Sequence, residues 1–238
     1  MLTRWLAAVL LILAAAPALA QDQYAVSSPN KVLTATISLN GEGRAQYRVE
    51  RNNQPVITDS QLGFLFTDQP QMLRNFAVVG QRTRDHDETW EQPWGEQRRV
   101  RNYYRELAID LEEKSALKRR MTLEFRLYDD GLGFRYRLPA RADGGPTNIA
   151  EELTQFRLAA DGRAWWASAF ESNREEYLYN ATPVSGIGTA QTPLTMVLAD
   201  GTHLSIHEAA LVDYSGMNVA RVEGTLLKAV LTLSLIHI

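Results

Sequence analysis

The chain has no cysteine among its 238 residues. That absence excludes a disulfide-stapled scaffold, thiolate metal sites and thiol redox chemistry. Histidine is scarce, with four copies, and His86, His203, His207 and His237 stand at spacings that match no standard transition-metal site. No glycine-rich phosphate loop, no H-E-x-x-H helix and no G-x-S-x-G nucleophile elbow occurs. Ser185-Gly186 and Ser215-Gly216 read as turns. Concentrated positive charge is also missing: 25 Lys and Arg oppose 28 Asp and Glu for a net charge of -3, and the basic residues are spread along the chain rather than collected in one block. No nucleic-acid partner is expected from that distribution. Helical periodicity is hard to find after the first twenty residues, Arg101–Lys114 alone having some of it, and no repeat of fixed length is visible.

What is present is a 45% apolar composition, enough for a packed core without covalent staples. The N-terminus stands apart. Arg4 precedes an apolar run of 11 residues from Leu6 to Ala16, followed by Pro17 and Ala18-Leu19-Ala20. This pattern predicts a secretory signal peptide over residues 1–20, with the mature chain starting near Gln21. The run is short of the roughly 20 apolar residues that a membrane span needs, so no span is expected.

Alternation at period two dominates the rest. Val32–Leu39, ending at Asn40-Gly41, and Tyr47–Glu50 predict one hairpin. Met121–Tyr128 and Phe134–Leu138 predict a second, around Asp129-Asp130-Gly131. Leu194–Leu198 and His203–His207 predict a third around Asp200-Gly201, where glycine supplies the positive φ a tight turn requires. Arg101–Lys114 fits period two from Leu107 onward and is predicted as strand. Arg141–Thr147 reads as a long loop. The expected fold is all-β, one large antiparallel β-sandwich-like domain.

Two regions could carry chemistry. Counted from Leu204 and Ile206, Glu208 falls on the inward parity of its strand, where a carboxylate is costly unless it is neutralised. A salt bridge, a strand that has already ended, and a hard cation such as calcium, which takes oxygen ligands, are the open readings. The second region is Asp87–Glu96, followed by Arg98, Arg99 and Arg101. Pro93 and Gly95 predict a loop there. Trp90 and Trp94, with Glu96 and Arg101 nearby, suit a sugar platform, and they suit equally a loop whose Trp side chains plug the sandwich edge. In Trp165-Trp166, adjacent strand positions face opposite sides, so at least one belongs to the core.

In order along the chain stand VSSPN, VLTATISLN, ETWEQPWGEQRRVRNYYREL, RRMTLEFRLYDDGLGFRYRLP, WWASAFESNREEYLY and TPLTMVLADGTHLSIHEAALVDYSGM. Across nearly all of residues 24–233 these blocks resemble the N-terminal domain of glycoside hydrolase family 97, the α-glucosidase and α-galactosidase family of bacterial glycan utilisation. The resemblance implies a galactose-mutarotase-like β-super-sandwich, here residues 21–232, packed in the full enzyme on a (β/α)₈ barrel that is followed by a smaller C-terminal β domain. It implies a calcium ion (Ca2+) at the barrel mouth, with Glu208 the matching ligand. It also implies an oligosaccharide substrate, a periplasmic location, and catalytic carboxylates that sit on the barrel. No catalytic residue is therefore expected in this chain, which alone should not hydrolyse sugars, and an inverting or a retaining outcome depends on the barrel. Leu233–Ile238 departs from the family pattern and is expected to be a truncation or adapter-derived tail. The competing reading is a stand-alone periplasmic carbohydrate-binding β-sandwich protein.

Overall fold

A computed structural model describes residues 22–141, 144–171, 177–212 and 214–232. The predicted signal peptide and the tail from Leu233 lie outside the described residues. Among the described residues eighteen strands follow one another: β1 (Gln23–Ser27), β2 (Leu33–Leu39), β3 (Ala45–Arg51), β4 (Gln54–Gln61), β5 (Phe64–Phe66) and β6 (Phe76–Glu91). Next come β7 (Arg99–Glu113), β8 (Arg120–Leu127), β9 (Leu132–Arg137), β10 (Ile149–Glu152), β11 (Gln155–Leu158) and β12 (Gly162–Trp166). The last are β13 (Asn180–Pro183), β14 (Thr189–Gln191), β15 (Leu194–Leu198), β16 (His203–Ile206), β17 (Met217–Glu223) and β18 (Leu226–Leu231). A single 3-10 turn at Val184–Gly186 is the only helical element among the described residues, and none of their helices is long and apolar enough to cross a membrane.

All strand pairs are antiparallel. One sheet has the order β1-β2-β3-β4-β11-β18-β17-β14, a second β6-β7-β8-β9 and a third β13-β12-β15-β16, with β10 and β5 forming a separate pair. The hairpins expected from alternation are β2–β3, β8–β9 and β15–β16. Asn52 and Asn53, both at positive φ, close β3 onto β4 as a two-residue hairpin turn demands, and Gly201 at φ +84° closes β15 onto β16 through the longer turn 199–201, where the Leu198 amide donates to the Thr202 carbonyl at 2.9 Å. Arg101–Lys114 is strand as predicted, within β7.

Alternation places one face of each strand in the core. Met121, Leu123, Phe125 and Leu127 of β8 are buried beside Leu107, Ile109 and Leu111 of β7. They meet Ile37, Tyr47 and Val49 of the eight-stranded sheet in one apolar cluster. Tyr47 contacts Phe134 and Phe125 at centroid distances of 5.2 and 5.7 Å, and its hydroxyl donates to the Gln155 carbonyl at 2.9 Å. Leu194, Met196 and Trp166 bring the third sheet into the same cluster. Burying such rings is worth a few kcal/mol each, and this packing replaces the covalent staples the sequence lacks.

The opposite face of the β6–β9 sheet is the Arg-rich side. Arg126 donates to Glu106 at 2.7 Å, Arg135 to Glu124 at 2.6 Å and Arg120 to Glu112 at 2.9 Å. Arg82 pairs with Asp110, which also accepts from Thr122 at 2.7 Å. Arg82 thereby holds the Asp110 carboxyl below the usual aspartate range. Cross-strand pairing of opposite charges is what lets a face with few apolar side chains remain sheet.

Candidate functional site: an aromatic-tipped ribbon and the Glu208 segment

β8 covers β7 only from Arg105 to Glu112. Beyond Arg105 the β6–β7 pair continues alone, from Asp85 opposite Arg105 to Glu91 opposite Arg99, a two-stranded ribbon roughly 20 Å long. The predicted loop over Asp87–Glu96 is thus corrected: Asp87–Glu91 is strand, and the loop is the stretch between Glu91 and Arg99. The physical reason is a charge zipper on one face. Arg101 donates to both Asp87 oxygens at 2.7 Å, Arg99 to Glu91 at 3.1 Å, and Arg105 lies 3.5 Å from Asp85. Acidic positions on β6 and basic positions on β7 hold this face of the pair together, while on the other face Tyr104, buried, stacks on His86 at 4.8 Å. The Arg101 guanidinium keeps the Asp87 carboxyl below the usual aspartate range, and Asp87 in turn raises Arg101.

Parity distributes the predicted sugar-contact residues over this ribbon. Thr89 is opposite Arg101 and Trp90 is opposite Val100, so Trp90 and Arg101 occupy opposite faces. Arg101 lies over the Tyr103 ring, with its guanidinium carbon 4.3 Å from the centroid. Trp90 is 47% exposed and Trp94, at the tip, 82%. Neither plugs the sandwich edge, which corrects that reading. Gly95 adopts φ +116° beside Gln92, whose side chain donates to the Gln97 carbonyl at 2.6 Å. Glu96 is exposed and makes no hydrogen bond or ion pair among the described residues. The ribbon therefore presents two indole faces and one unengaged carboxylate, while Arg101 is already occupied by Asp87.

Glu208 lies elsewhere. β16 ends at Ile206, so the inward-parity argument stops two residues short of it. Within the strand the parity holds, with Ile206 buried and His203 and Ser205 exposed. Residues 207–212 and 214–216 then run irregularly towards β17. Glu208 is half-buried there, and its Oε1 lies 3.9 Å from the place a Cβ at Gly216 would take. No ion pair or hydrogen bond engages the Glu208 side chain among the described residues, so the salt-bridge reading receives no partner. None of the described residues bonds the ribbon tip to the Glu208 segment. Asp213 lies outside the described residues.

Calcium takes 6–8 oxygen ligands. Among the described residues no three His, Asp or Glu side chains gather as a metal site. Glu208 suits the ion as a single unpaired donor to a site completed by other segments. Sequence reasoning missed what holds this segment. Tyr214 donates to Glu152 Oε2 at 2.7 Å across 62 residues of chain, and no local pattern announces a contact of that range. Burial, then the Glu152 carboxylate, push the Tyr214 phenol far above its ordinary value. Trp165 and Trp166 divide as expected, the first partly exposed and the second buried.

The three sheets and their common core define an antiparallel β-super-sandwich of the kind that serves as a domain of larger polypeptides. Residues 26–233 match the family described as glycosyl-hydrolase 97 N-terminal, and the chain belongs to that family. It is 22% identical over 218 residues to a retaining alpha-galactosidase of Bacteroides thetaiotaomicron, covering 86% of this chain and 31% of the relative. A glycoside hydrolase family 97 enzyme from Pseudoalteromonas sp. strain K8, solved in complex with acarbose, superposes with a TM-score of 0.84 at 32% identity, over 88% of this chain and 32% of that one. A beta-arabinopyranosidase structure shares the fold with a TM-score of 0.80 at 20% identity, over 89% of this chain and 36% of that one. The chain spans about a third of the length of these relatives.

Proposed function

We propose that this chain is the N-terminal part of an exported bacterial α-glycosidase that removes terminal α-linked glucose or galactose from oligosaccharides. The observation that carries the reading is family membership over residues 26–233 combined with coverage of only a third of glycosidase relatives. The catalytic carboxylates then belong to a barrel elsewhere in the same polypeptide, and this chain by itself does not turn over substrate. Its own residues shape the approach to the pocket. Trp90 and Trp94 offer faces for stacking on sugar C–H surfaces, Glu96 accepts from hydroxyls, and Arg101, braced by Asp87, borders the same arm. Glu208 would be one oxygen donor to calcium, and the bound ion would supply a hard positive charge that orders oxygen groups around it. The N-terminal signal directs the protein to the periplasm.

The test compares residues 21–232 with the complete reading frame on nitrophenyl α-glucoside and α-galactoside. The expected result is turnover by the complete protein alone, with Glu208→Gln weakening its calcium affinity at least tenfold and leaving the sandwich folded. Turnover by residues 21–232 alone would overturn the division of labour. A stop directly after Ile238 in the genome, with sugar binding retained by this chain, would put a stand-alone periplasmic carbohydrate-binding protein in its place.

A further inference from the structure

Among the described residues of the 207–216 segment that carries Glu208, none belongs to a strand, yet they are fastened to the sandwich at two places. The first is a buried carboxylate. Glu152, the last residue of β10, is 9% exposed. It has no Arg, Lys or His partner among the described residues. Its two oxygens are served by hydroxyls: Thr154 donates to Oε1, and Tyr214 donates to Oε2 at 2.7 Å. The Thr154 hydroxyl in turn sits 2.6 Å from that of Tyr136, whose ring packs on Phe64 at 4.5 Å. The Thr154 carbonyl accepts from the Ala229 amide at 2.9 Å. The second fastening is at Thr232. Ser215 donates to its carbonyl at 2.7 Å, its amide donates to the Gly216 carbonyl at 2.8 Å, and Asn218 donates to its hydroxyl at 2.9 Å.

Glu208 stands beside the second fastening, its Oε1 3.9 Å from the place a Cβ at Gly216 would take. An irregular stretch of this length would otherwise sample many conformations, and each residue fixed costs conformational entropy. A hydroxyl-to-carboxylate bond to an acceptor as buried as Glu152 meets less competition from solvent than one between exposed groups. Glu152 is also rooted in the core through Tyr136, so it transmits the rigidity of the sandwich to Tyr214. Removing the Tyr214 hydroxyl would leave Glu152 Oε2 short of a partner and free the segment at one end.

We infer that Glu152 and Tyr214 are positioning residues for Glu208, fixing the 207–216 segment so that the Glu208 carboxylate is presented as a preformed ligand. The inference rests on the reading of Glu208 as a calcium donor. Residues that orient a metal ligand without touching the metal typically change affinity 10–100-fold when altered.

The test uses Tyr214→Phe, which keeps the partly exposed ring, and Glu152→Gln, which keeps the shape of the buried group. In the 238-residue chain, hydrogen exchange should accelerate about tenfold across 207–216 in Tyr214→Phe, while β7 and β8 keep their protection. In the complete enzyme, titration with calcium alone should show roughly tenfold weaker binding for either variant, and the double variant should be little worse than the single ones. A merely structural role would lower the urea midpoint and leave the calcium Kd in place, and that outcome overturns the inference. So does unchanged exchange across 207–216. Glu208→Gln separates the two layers. If it abolishes calcium binding while Tyr214→Phe leaves the Kd unchanged, the positioning role is refuted and the calcium reading stands. If Glu208→Gln itself leaves the Kd unchanged, the calcium reading fails and the inference falls with it.

Discussion

Replacing Arg119 by Met should be among the costliest single changes in this domain. Glu113, at the end of β7, is 5% exposed and points to the core side of its sheet, opposite Phe76. Arg119 satisfies it through two bonds of 2.7 Å. The same guanidinium donates to the carbonyls of Pro70 and Gln71 at 2.7 and 2.9 Å and to Gln69 Oε1 at 3.1 Å, and it lies over the Phe66 ring at 5.8 Å. Arg119 therefore clasps the segment between β5 and β6 onto the end of β7. Met preserves most of the aliphatic volume but leaves Glu113 buried and unpaired, which costs about 3–5 kcal/mol. With a urea m-value of about 2–3 kcal/mol/M for a domain of this size, the midpoint should fall by roughly 1.5–2 M. Tryptophan fluorescence during urea unfolding reads this directly. Replacing both partners, Arg119→Met with Glu113→Leu, should recover most of the loss, because the penalty comes from the stranded charge and not from the missing pair. A loss under about 1 kcal/mol for the single variant, or a double variant as unstable as the single, would refute the reasoning.

Other outcomes follow from the same packing. Gly162→Ala would put its Cβ 2.1 Å from the Val197 carbonyl oxygen and 2.6 Å from Leu198 Cα. Because both obstacles are backbone, the β12–β15 pairing should loosen at a cost of about 3 kcal/mol, read as a lowered melting temperature. Arg82 lowers the Asp110 pKa in the folded state, so this pair contributes stability above the ordinary aspartate pKa near 3.9 and loses it as pH falls through the lower folded value. Asp110→Asn should thus cost under about 1 kcal/mol at pH 7, given solvent screening, and the gap in urea midpoint between variant and parent should close as pH falls through the lowered folded pKa of Asp110. Trp94→Ala should leave the melting temperature unchanged, since the ring is exposed, while weakening oligosaccharide binding by the complete enzyme by about 1 kcal/mol, or roughly fivefold. Equal affinity of that variant for an α-linked trisaccharide in calorimetry would remove the ribbon tip from the sugar site.

Much of the fold was legible along the chain because its signals are local. In Met121–Leu127 the apolar side chains recur at every second residue, and any strand with that pattern must turn one face inward. Gly201 and Asn52-Asn53 supply positive φ angles where β15 folds back onto β16 and β3 onto β4. The candidate site was less legible. Thr89, Glu91 and Asp87 show the same alternation, but in charged and polar residues that look like loop until their Arg partners on β7 are in register. For Glu208, parity counting assumed a strand that ends two residues earlier.

By itself the sequence determined that this is an all-β chain without covalent staples, built from hairpins, with blocks that align with one family from end to end. Each of those properties depends on neighbours a few residues apart or on the order of short motifs. Tertiary structure alone decided that Trp90 and Trp94 stand free on a ribbon and that Arg101 faces away from Trp90. It alone brought Arg119 to Glu113 and the loops at Pro70 and Gln71, and Tyr214 to Glu152. Those contacts join charges and hydroxyls whose separation along the chain carries no periodicity. Their worth is fixed by burial, which no residue possesses until the sheets have packed around it.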